Sequence, residues 1–254
     1  MTKAAAFFDL DRTLISGVSV LPLGVAAWRQ GFVTNREIAG WAWEAILFKL
    51  FGDKGDAATA DNTRKDLLTR IAGASVESLK SLEAEVTPSL IARVRPESRD
   101  LIEMHHSHDR DTWIVSASPQ PLVEPLAASL GMTGAIGTKG EIVDGHYTGN
   151  LDGPFVYGPG KAEAVEKLAH DRGYDLALCY AYSDSVSDLP MLELVGHPVA
   201  VNPDAELAAI ARQRGWPIVI FARKTKRALA VAGMTVSLIG SGLVGYAIGR
   251  RRAR

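Results

Sequence analysis

Two carboxylates lie two residues apart in Phe8-Asp9-Leu10-Asp11-Arg12-Thr13, at the close of a short apolar run that begins at Ala4. The run reads as a buried strand. Strand side chains at i and i+2 leave on the same side, so Asp9 and Asp11 are expected to face one crevice. By itself the pair is also what an acidic turn looks like. Ser116 closes a second apolar run, Thr112 to Ser116, where its hydroxyl could donate to a phosphate oxygen. Lys161 follows Gly158-Pro159-Gly160 and opens a helical pattern. A helix N-terminus with an ammonium group is a natural anion site. Asp184 and Asp188 follow a third apolar run, in Tyr182-Ser183-Asp184-Ser185-Val186-Ser187-Asp188. Ligands of open α/β sheets bind beyond the carboxyl ends of the strands. Hard oxygen ligands from Asp9, Asp11 and Asp184 suit Mg²⁺ rather than zinc.

The elements that must position these residues alternate in type. Strands are expected at Ala4–Phe8, Thr112–Ser116, Ala177–Ser183 and Pro198–Val201, with a weaker one at Ala135–Thr138. Helical patterns cover roughly 97–108, 121–130, 161–172, 188–195 and 204–214. Such alternation gives an α/β fold with a Rossmann-like parallel sheet. Residues 140–149 read as a hairpin turning at Asp144-Gly145. The stretch 16–98 has helical periodicity and little strand signal, so it is expected to be an inserted helical cap. The phosphate-handling core would then be 1–15 and 99–222. Within the cap, 38–51 is apolar around most of its circumference, with Trp41, Trp43, Phe48 and Phe51 as residues for cap core or lipid contact.

The order DxDxT, Ser, Lys, DxxxD resembles the haloacid dehalogenase superfamily of phosphatases, over residues 4–202. The helical insert after the first motif resembles the phosphoserine-phosphatase-like branch. The resemblance implies a Mg²⁺-dependent phosphomonoester hydrolase. In it Asp9 is the nucleophile and forms an aspartyl-phosphate. Asp11 is the general acid and then the base. The metal is held by Asp9, the backbone carbonyl of Asp11, and Asp184. Thr13, Ser116, Ala117, Lys161 and Ser187 are the implied phosphate- or substrate-binding residues, and Asp188 supports Lys161 or a metal-bound water. An acid two residues after the nucleophile suits an alkoxide leaving group, and argues against dehalogenation, which needs no proton.

The chain departs from the branch at several points. The Glu that recognises the substrate ammonium is replaced by Val18. The Gly-rich turn after the second motif is Ser116-Ala117-Ser118-Pro119, and the Asn before the last Asp is Ser187. Arg64 and Arg70 are candidates for the cap arginine that grips a carboxylate. Arg12 stands where Gly is frequent, facing either substrate or solvent. Phosphoserine or a related small phosphomonoester is therefore one expected substrate. A lipid phosphomonoester, such as phosphatidylglycerophosphate or a lysophosphatidate, is another. A catalytically weak membrane-bound scaffold and a phosphotransferase are the remaining readings.

Composition bounds the rest. The 254 residues are 47% hydrophobic and 22% charged, ordinary values for a folded protein. Residues 223–254 hold eight Lys or Arg and no acid, which leaves 20 basic against 29 acidic residues before them, a balance of −9. Such a body is a poor nucleic-acid binder. The lone Cys179, in an apolar run, is expected to be a buried structural thiol. The cluster His105, His106 and His108 falls at the end of a helix, where histidines favour the dipole more readily than they bind a metal. No long apolar region precedes the first acidic residue, so a cytoplasmic catalytic body is expected. Ala228 to Gly249 is an uncharged run of 22 residues with basic flanks, long enough for a transmembrane helix and a membrane anchor at the C-terminus. Both flanks are basic, so charge does not orient it. Gly233, Ser237, Ser241, Gly245 and Gly249 recur every fourth residue, a small-residue face through which the chain could form a homo-oligomer.

Overall fold

In the computed structural model, residues 3–31 and 72–221 are described. Strand β1 (Ala5–Asp9) is buried along its whole length. It pairs in parallel with β2 (Asp111–Pro119) on one side and β6 (Tyr180–Ser183) on the other. With β3 (Gly134–Thr138), β7 (His197–Val201) and β8 (Ile218–Val219), these form a six-stranded sheet in the order β3-β2-β1-β6-β7-β8. Every pairing in that sheet is parallel. Chain order reverses about β1, so the topological switch point lies at the carboxyl end of β1.

Both faces of this sheet are covered, which explains why its strands read as unbroken apolar runs. Ala5 and Phe7 of β1 join a core with Trp113, Val115, Ala181 and Ala200. That core is closed by α5 (Pro159–Arg172), α6 (Leu189–Leu194) and α7 (Ala205–Arg214), through Val165, Leu192 and Leu207. Phe8 faces the other way. It stacks on Tyr182 with ring centroids 4.6 Å apart and meets His105 edge-on. His105 belongs to α3 (Pro96–His106), which packs on β2.

Three more helices are described. Helix α1 (Val20–Arg29) packs on α2 (Val76–Ile91), and Arg29 and Glu85 pair across them at 3.0 Å. Helix α2 in turn packs on α4 (Gln120–Ser129), which covers β3. Strands β4 (Gly140–Val143) and β5 (His146–Leu151) form the expected hairpin, with Asp144 and Gly145 both at positive φ. Such a pair of left-handed residues is what a tight hairpin turn requires. The hairpin is also pinned to the start of α2: Gly73 and Val76 donate to the carbonyls of Tyr147 and Gly145.

Several boundaries differ from expectation. The strand expected from Ala177 begins only at Tyr180. Leu176–Leu178 instead form a helical turn, because the Asp175 carboxylate accepts from Ala177 N–H at 3.0 Å. Strand β2 runs on to Pro119 rather than ending at Ser116, but its register with β3 is interrupted between Val115 and Pro119. The cap segment 32–71 lies outside the described residues, and with it Trp41, Trp43, Phe48, Phe51, Arg64 and Arg70. So does the tail from residue 222, with its apolar run and its small-residue face. Among the described residues no helix is long and apolar enough to cross a membrane.

Candidate active site

At the switch point the chain must leave β1 abruptly. Leu10–Leu14 form a tight irregular turn, with Arg12 at φ 60°. Arg12 N–H donates to the Gly17 carbonyl at 2.9 Å and Ile15 N–H to that of Leu10 at 3.0 Å. The strand therefore ends at Asp9, and Asp11 lies in the turn rather than two positions along a continuing strand. Its backbone remains extended, at φ −73° and ψ 129°.

Asp9 is the centre of the arrangement. Lys161 Nζ lies 2.5 Å from Asp9 Oδ1 and 2.7 Å from Asp188 Oδ2. All three side chains are buried. Lys161 is placed by the first turn of α5, and the preceding glycines are required there. Gly158 sits at φ 54°, and a Cβ on Gly160 would approach the Phe155 carbonyl oxygen to 2.0 Å. Burial works against the ammonium charge. Asp188 and Asp9 outweigh it and hold the Lys161 pKa above its ordinary value. Burial raises the Asp9 carboxyl, Lys161 opposes that, and Asp188, Asp184 and Asp11 add to the rise.

Asp11 points into a different set of bonds. Ser19 N–H donates to its Oδ1 at 2.8 Å, and Ser19 Oγ to its Oδ2 at 3.2 Å. Burial raises the Asp11 pKa and the Ser19 bonds partly offset it. A carboxyl raised by burial holds its proton more readily than one in water. Ser19 Oγ also lies 2.8 Å from Ser118 Oγ, and Ser118 N–H donates to Ser116 Oγ at 3.1 Å. The buried Ser116 is thus tied to Asp11 through the Ser19 hydroxyl and through Ser118, whose hydroxyl meets Ser19 and whose backbone N–H meets Ser116. The Ser116 oxygen accepts there, which leaves its own proton for an anion. Ala117 is half-buried just beyond it. Thr13 is buried, and its Oγ1 has no hydrogen-bond partner among the described residues.

The loop after β6 completes the site. Ser183 Oγ donates to Asp188 Oδ2 at 2.7 Å, leaving Asp188 Oδ1 buried without a partner. Asp184 forms an ion pair with Arg12 Nε at 2.8 Å. Burial moves the Asp184 pKa up to about 7, with Arg12 opposing. Asp204 braces this loop. It accepts from Val186 N–H at 2.9 Å and from Leu207 N–H at 2.7 Å, and its own N–H donates to the Asp184 carbonyl at 2.8 Å. The Ser187 hydroxyl turns to Ser185 Oγ at 3.1 Å.

The donor chemistry fits a hard dication. Four carboxylates, Asp9, Asp11, Asp184 and Asp188, stand against two cations, Lys161 and Arg12, a formal balance of −2 when all are ionised. Among the described residues no three acidic, His or Cys side chains converge as a ready-made cage. Mg²⁺ does not need one, since it keeps several waters and takes one or two carboxylates. Asp9 and Asp184, buried carboxylates whose charges act on each other, have the donor chemistry for that, and the unpartnered Asp188 Oδ1 would be open to a bound water.

The structure joins Asp9, Lys161 and Asp188 in one bonded group and Asp11 and Ser116 in a second, pairs Asp184 with Arg12, and lets the charges of Asp11, Asp184 and Asp188 all act on Asp9. It turns the Ser187 hydroxyl away into a local bond. Ser19, Ser118, Ser183 and Asp204 are site residues that no motif marks. Asp204 carries a legible signal, an Asp directly before a helical pattern. The three serines carry none. His105, His106 and His108 turn to separate hydrogen-bond partners, Tyr182, Thr112 and the Met104 carbonyl. His105 is buried against Tyr182, its Nε2 2.8 Å from the phenol oxygen, and burial lowers its pKa to about 4. A neutral imidazole cannot act as a cation on the helix dipole, so that expectation fails for His105. Cys179 is buried, as expected, and accepts from Ala5 N–H at 3.3 Å.

The chain matches the profile of haloacid dehalogenase-like hydrolases over residues 6–193. It is 40% identical to a protein named phosphoserine phosphatase SerB1 of Mycobacterium tuberculosis, over 99% of this chain and 82% of that one. It is 34% identical to a histidinol-phosphatase of Neisseria meningitidis, over 86% and 99% of the respective chains. A crystal structure of a Bordetella pertussis protein of unknown function superposes with a TM-score of 0.74 at 27% identity. That match covers 86% of this chain and 99% of the other.

Proposed function

The chain belongs to the haloacid dehalogenase-like hydrolases and is a phosphatase of the phosphoserine-phosphatase-like kind, and from that premise we propose that it hydrolyses a small phosphomonoester through a covalent phosphate on Asp9. The observation that carries this reading is the contact of Lys161 with Asp9 at the carboxyl end of the central strand. Lys161 holds one carboxylate oxygen, which orients the other for attack on phosphorus. As the phosphoryl group moves to Asp9, the Asp11 carboxyl gives its proton to the departing alcohol oxygen. Asp11 then takes a proton from the water that hydrolyses the acyl phosphate. Asp9, Asp184 and the Asp11 carbonyl would hold Mg²⁺, which when bound supplies charge neutralisation for the phosphoryl dianion. Ser116 and Thr13 would donate to phosphoryl oxygens.

The substrate class follows from what two relatives share. Phosphoserine and histidinol phosphate, in the names of those relatives, are both phosphate esters of primary alcohols with an ammonium on the next carbon. We propose that this chain takes an ester of that class. Val18 at the ammonium position supports selectivity set elsewhere than by a carboxylate there. We further propose that the uncharged run 228–249 anchors the enzyme to a membrane, on the strength of its length and basic flanks.

The test is Mg²⁺-dependent phosphate release by the detergent-solubilised full-length chain. Its panel holds phosphoserine, histidinol phosphate and a lysophosphatidate, with Asp9→Asn as control. The expected result is turnover of an amino-alcohol phosphate that falls by at least about 10³-fold in Asp9→Asn. Equal turnover in that variant would remove the nucleophile from the mechanism. Turnover of the lipid ester alone would replace the substrate class.

A further inference from the structure

Arg12 is the one site residue whose backbone is held in a conformation that favours glycine. Its φ of 60° is open to glycine at no cost and to a long L side chain only when something compensates. Its amide is fixed by the Gly17 carbonyl. Its guanidinium Nε lies 2.8 Å from Asp184 Oδ2, the side chain being 40% exposed and that of Asp184 only 6%. A half-exposed cation therefore covers a buried carboxylate. Lys161 pairs directly with Asp9 and Asp188 and acts on Asp184 only through space, less strongly than Arg12 does.

We propose that Arg12 is a resident counter-ion that competes with Mg²⁺ for Asp184, so that metal loading requires the guanidinium to leave this carboxylate. The inference rests on the metal reading given above. Its physical content is a sign. A cation already seated on a ligand weakens the binding of a second cation there, by electrostatic repulsion and by the ion pair that must first break. If Arg12 instead only positioned Asp184 for the metal, removing it would loosen the ligand and weaken binding. The two roles predict opposite changes in one equilibrium constant. Arg12 would act through Asp184, without contact with the reacting atoms.

Calorimetric titration of Mg²⁺ into the solubilised full-length protein, without substrate and with the pH raised in steps above neutrality until the affinity no longer changes, so that proton loss from Asp184 does not enter, reads that constant directly. Arg12→Gln removes the charge and keeps most of the side-chain length. Arg12→Gly removes both and relieves the positive φ, so loss of the fold is not expected. Both variants should bind Mg²⁺ about fivefold to tenfold more tightly than the parent, the size expected for a half-exposed ion pair coupled to a binding site. The metal-free variants should also melt below the parent and regain the difference with Mg²⁺, because Asp184 is left buried without its cation. Unchanged or weaker Mg²⁺ affinity in both variants overturns the proposal. Tightening in Arg12→Gly alone would assign the effect to backbone strain and overturn it too. No Mg²⁺ binding by the parent or either variant would overturn the metal reading itself, and this inference with it.

Discussion

Asp9 and Asp184 are carboxylates kept in surroundings that resist their charge. Burial is the largest cause for both, and it lifts Asp9 to about 8 and Asp184 to about 7 from an ordinary 3.8. A proton on either must leave before a dication can bind, so Mg²⁺ affinity should rise with pH through neutrality and level off above about 8. Calorimetry at pH 6, 7 and 8.5 would check this, and a flat profile would remove these two acids from the metal site. The same shifts set a stability trend without metal. Both acids bind protons more tightly folded than unfolded, so the folded state loses stability as pH climbs from about 4 towards 8. Asp184→Asn should flatten its share of that trend in thermal melts without Mg²⁺. Ser19 sets the state of Asp11 in a similar way, since its two bonds lower a pKa that burial raises. Ser19→Ala should cut kcat about tenfold, for loss of an orienting bond, with little change in KM. A change confined to KM would make Ser19 a substrate contact instead. The acids themselves were legible in the sequence, because they stand at strand ends in a recognisable order. Ser19 was not, since a serine at the start of a helix is ordinary, and only the turn at Arg12 carries Asp11 to it.

Elements succeed or fail as predictions according to how much of their reason is local. Helix α5 starts where Gly158-Pro159-Gly160 says it should, because a positive φ, a fixed φ and a missing Cβ are each a property of one residue. The third strand starts late for a reason equally local but easily overlooked, the Asp175 side chain capping a turn inside an apolar run. The network around Asp204 is different in kind. It caps α7 and at the same time ties down the loop that carries Asp184. Asp204→Ala should cost about 2 kcal/mol, one cap plus one buried backbone donor left unpaired. At this chain length that lowers the thermal midpoint by about 4–8 °C. It should also weaken Mg²⁺ binding, whereas a cap alone would lower the melting point and leave the metal untouched. His105 adds a second check on packing. Its pKa is lowered to about 4 from 6.5 by burial, so the unfolded chain takes up its proton first as pH falls. Stability should therefore drop between pH 6.5 and 4 by up to about 3 kcal/mol on its account. His105→Gln, which can still meet the Tyr182 hydroxyl, should lose less over that window in urea melts.

At the scale of the whole molecule, a parallel sheet covered on both faces follows from alternating patterns, and its switch point fixes where the chemistry sits. Strand order was not readable, because an apolar run does not say which neighbour it pairs with. The uneven charge, −9 before residue 223 and eight basic residues after it with no acid, belongs to this scale as well. An acidic catalytic body is repelled by an anionic bilayer, so any attachment must come from the tail. Two attachments are then distinguishable. Basic flanks alone would hold the protein by charge, which 0.5 M salt screens within a few Å. An inserted uncharged run of 22 residues would hold it regardless of salt. The full-length chain should float with anionic vesicles in low and high salt alike, and a chain ending at Phe221 should stay in the aqueous fraction with its turnover of a small soluble ester unchanged. Release of the full chain by salt would reduce the tail to an electrostatic contact. Flotation of the shortened chain would move the membrane contact to the catalytic body, where the exposed Val20, Leu21 and Val25 of α1 would be the first residues to replace.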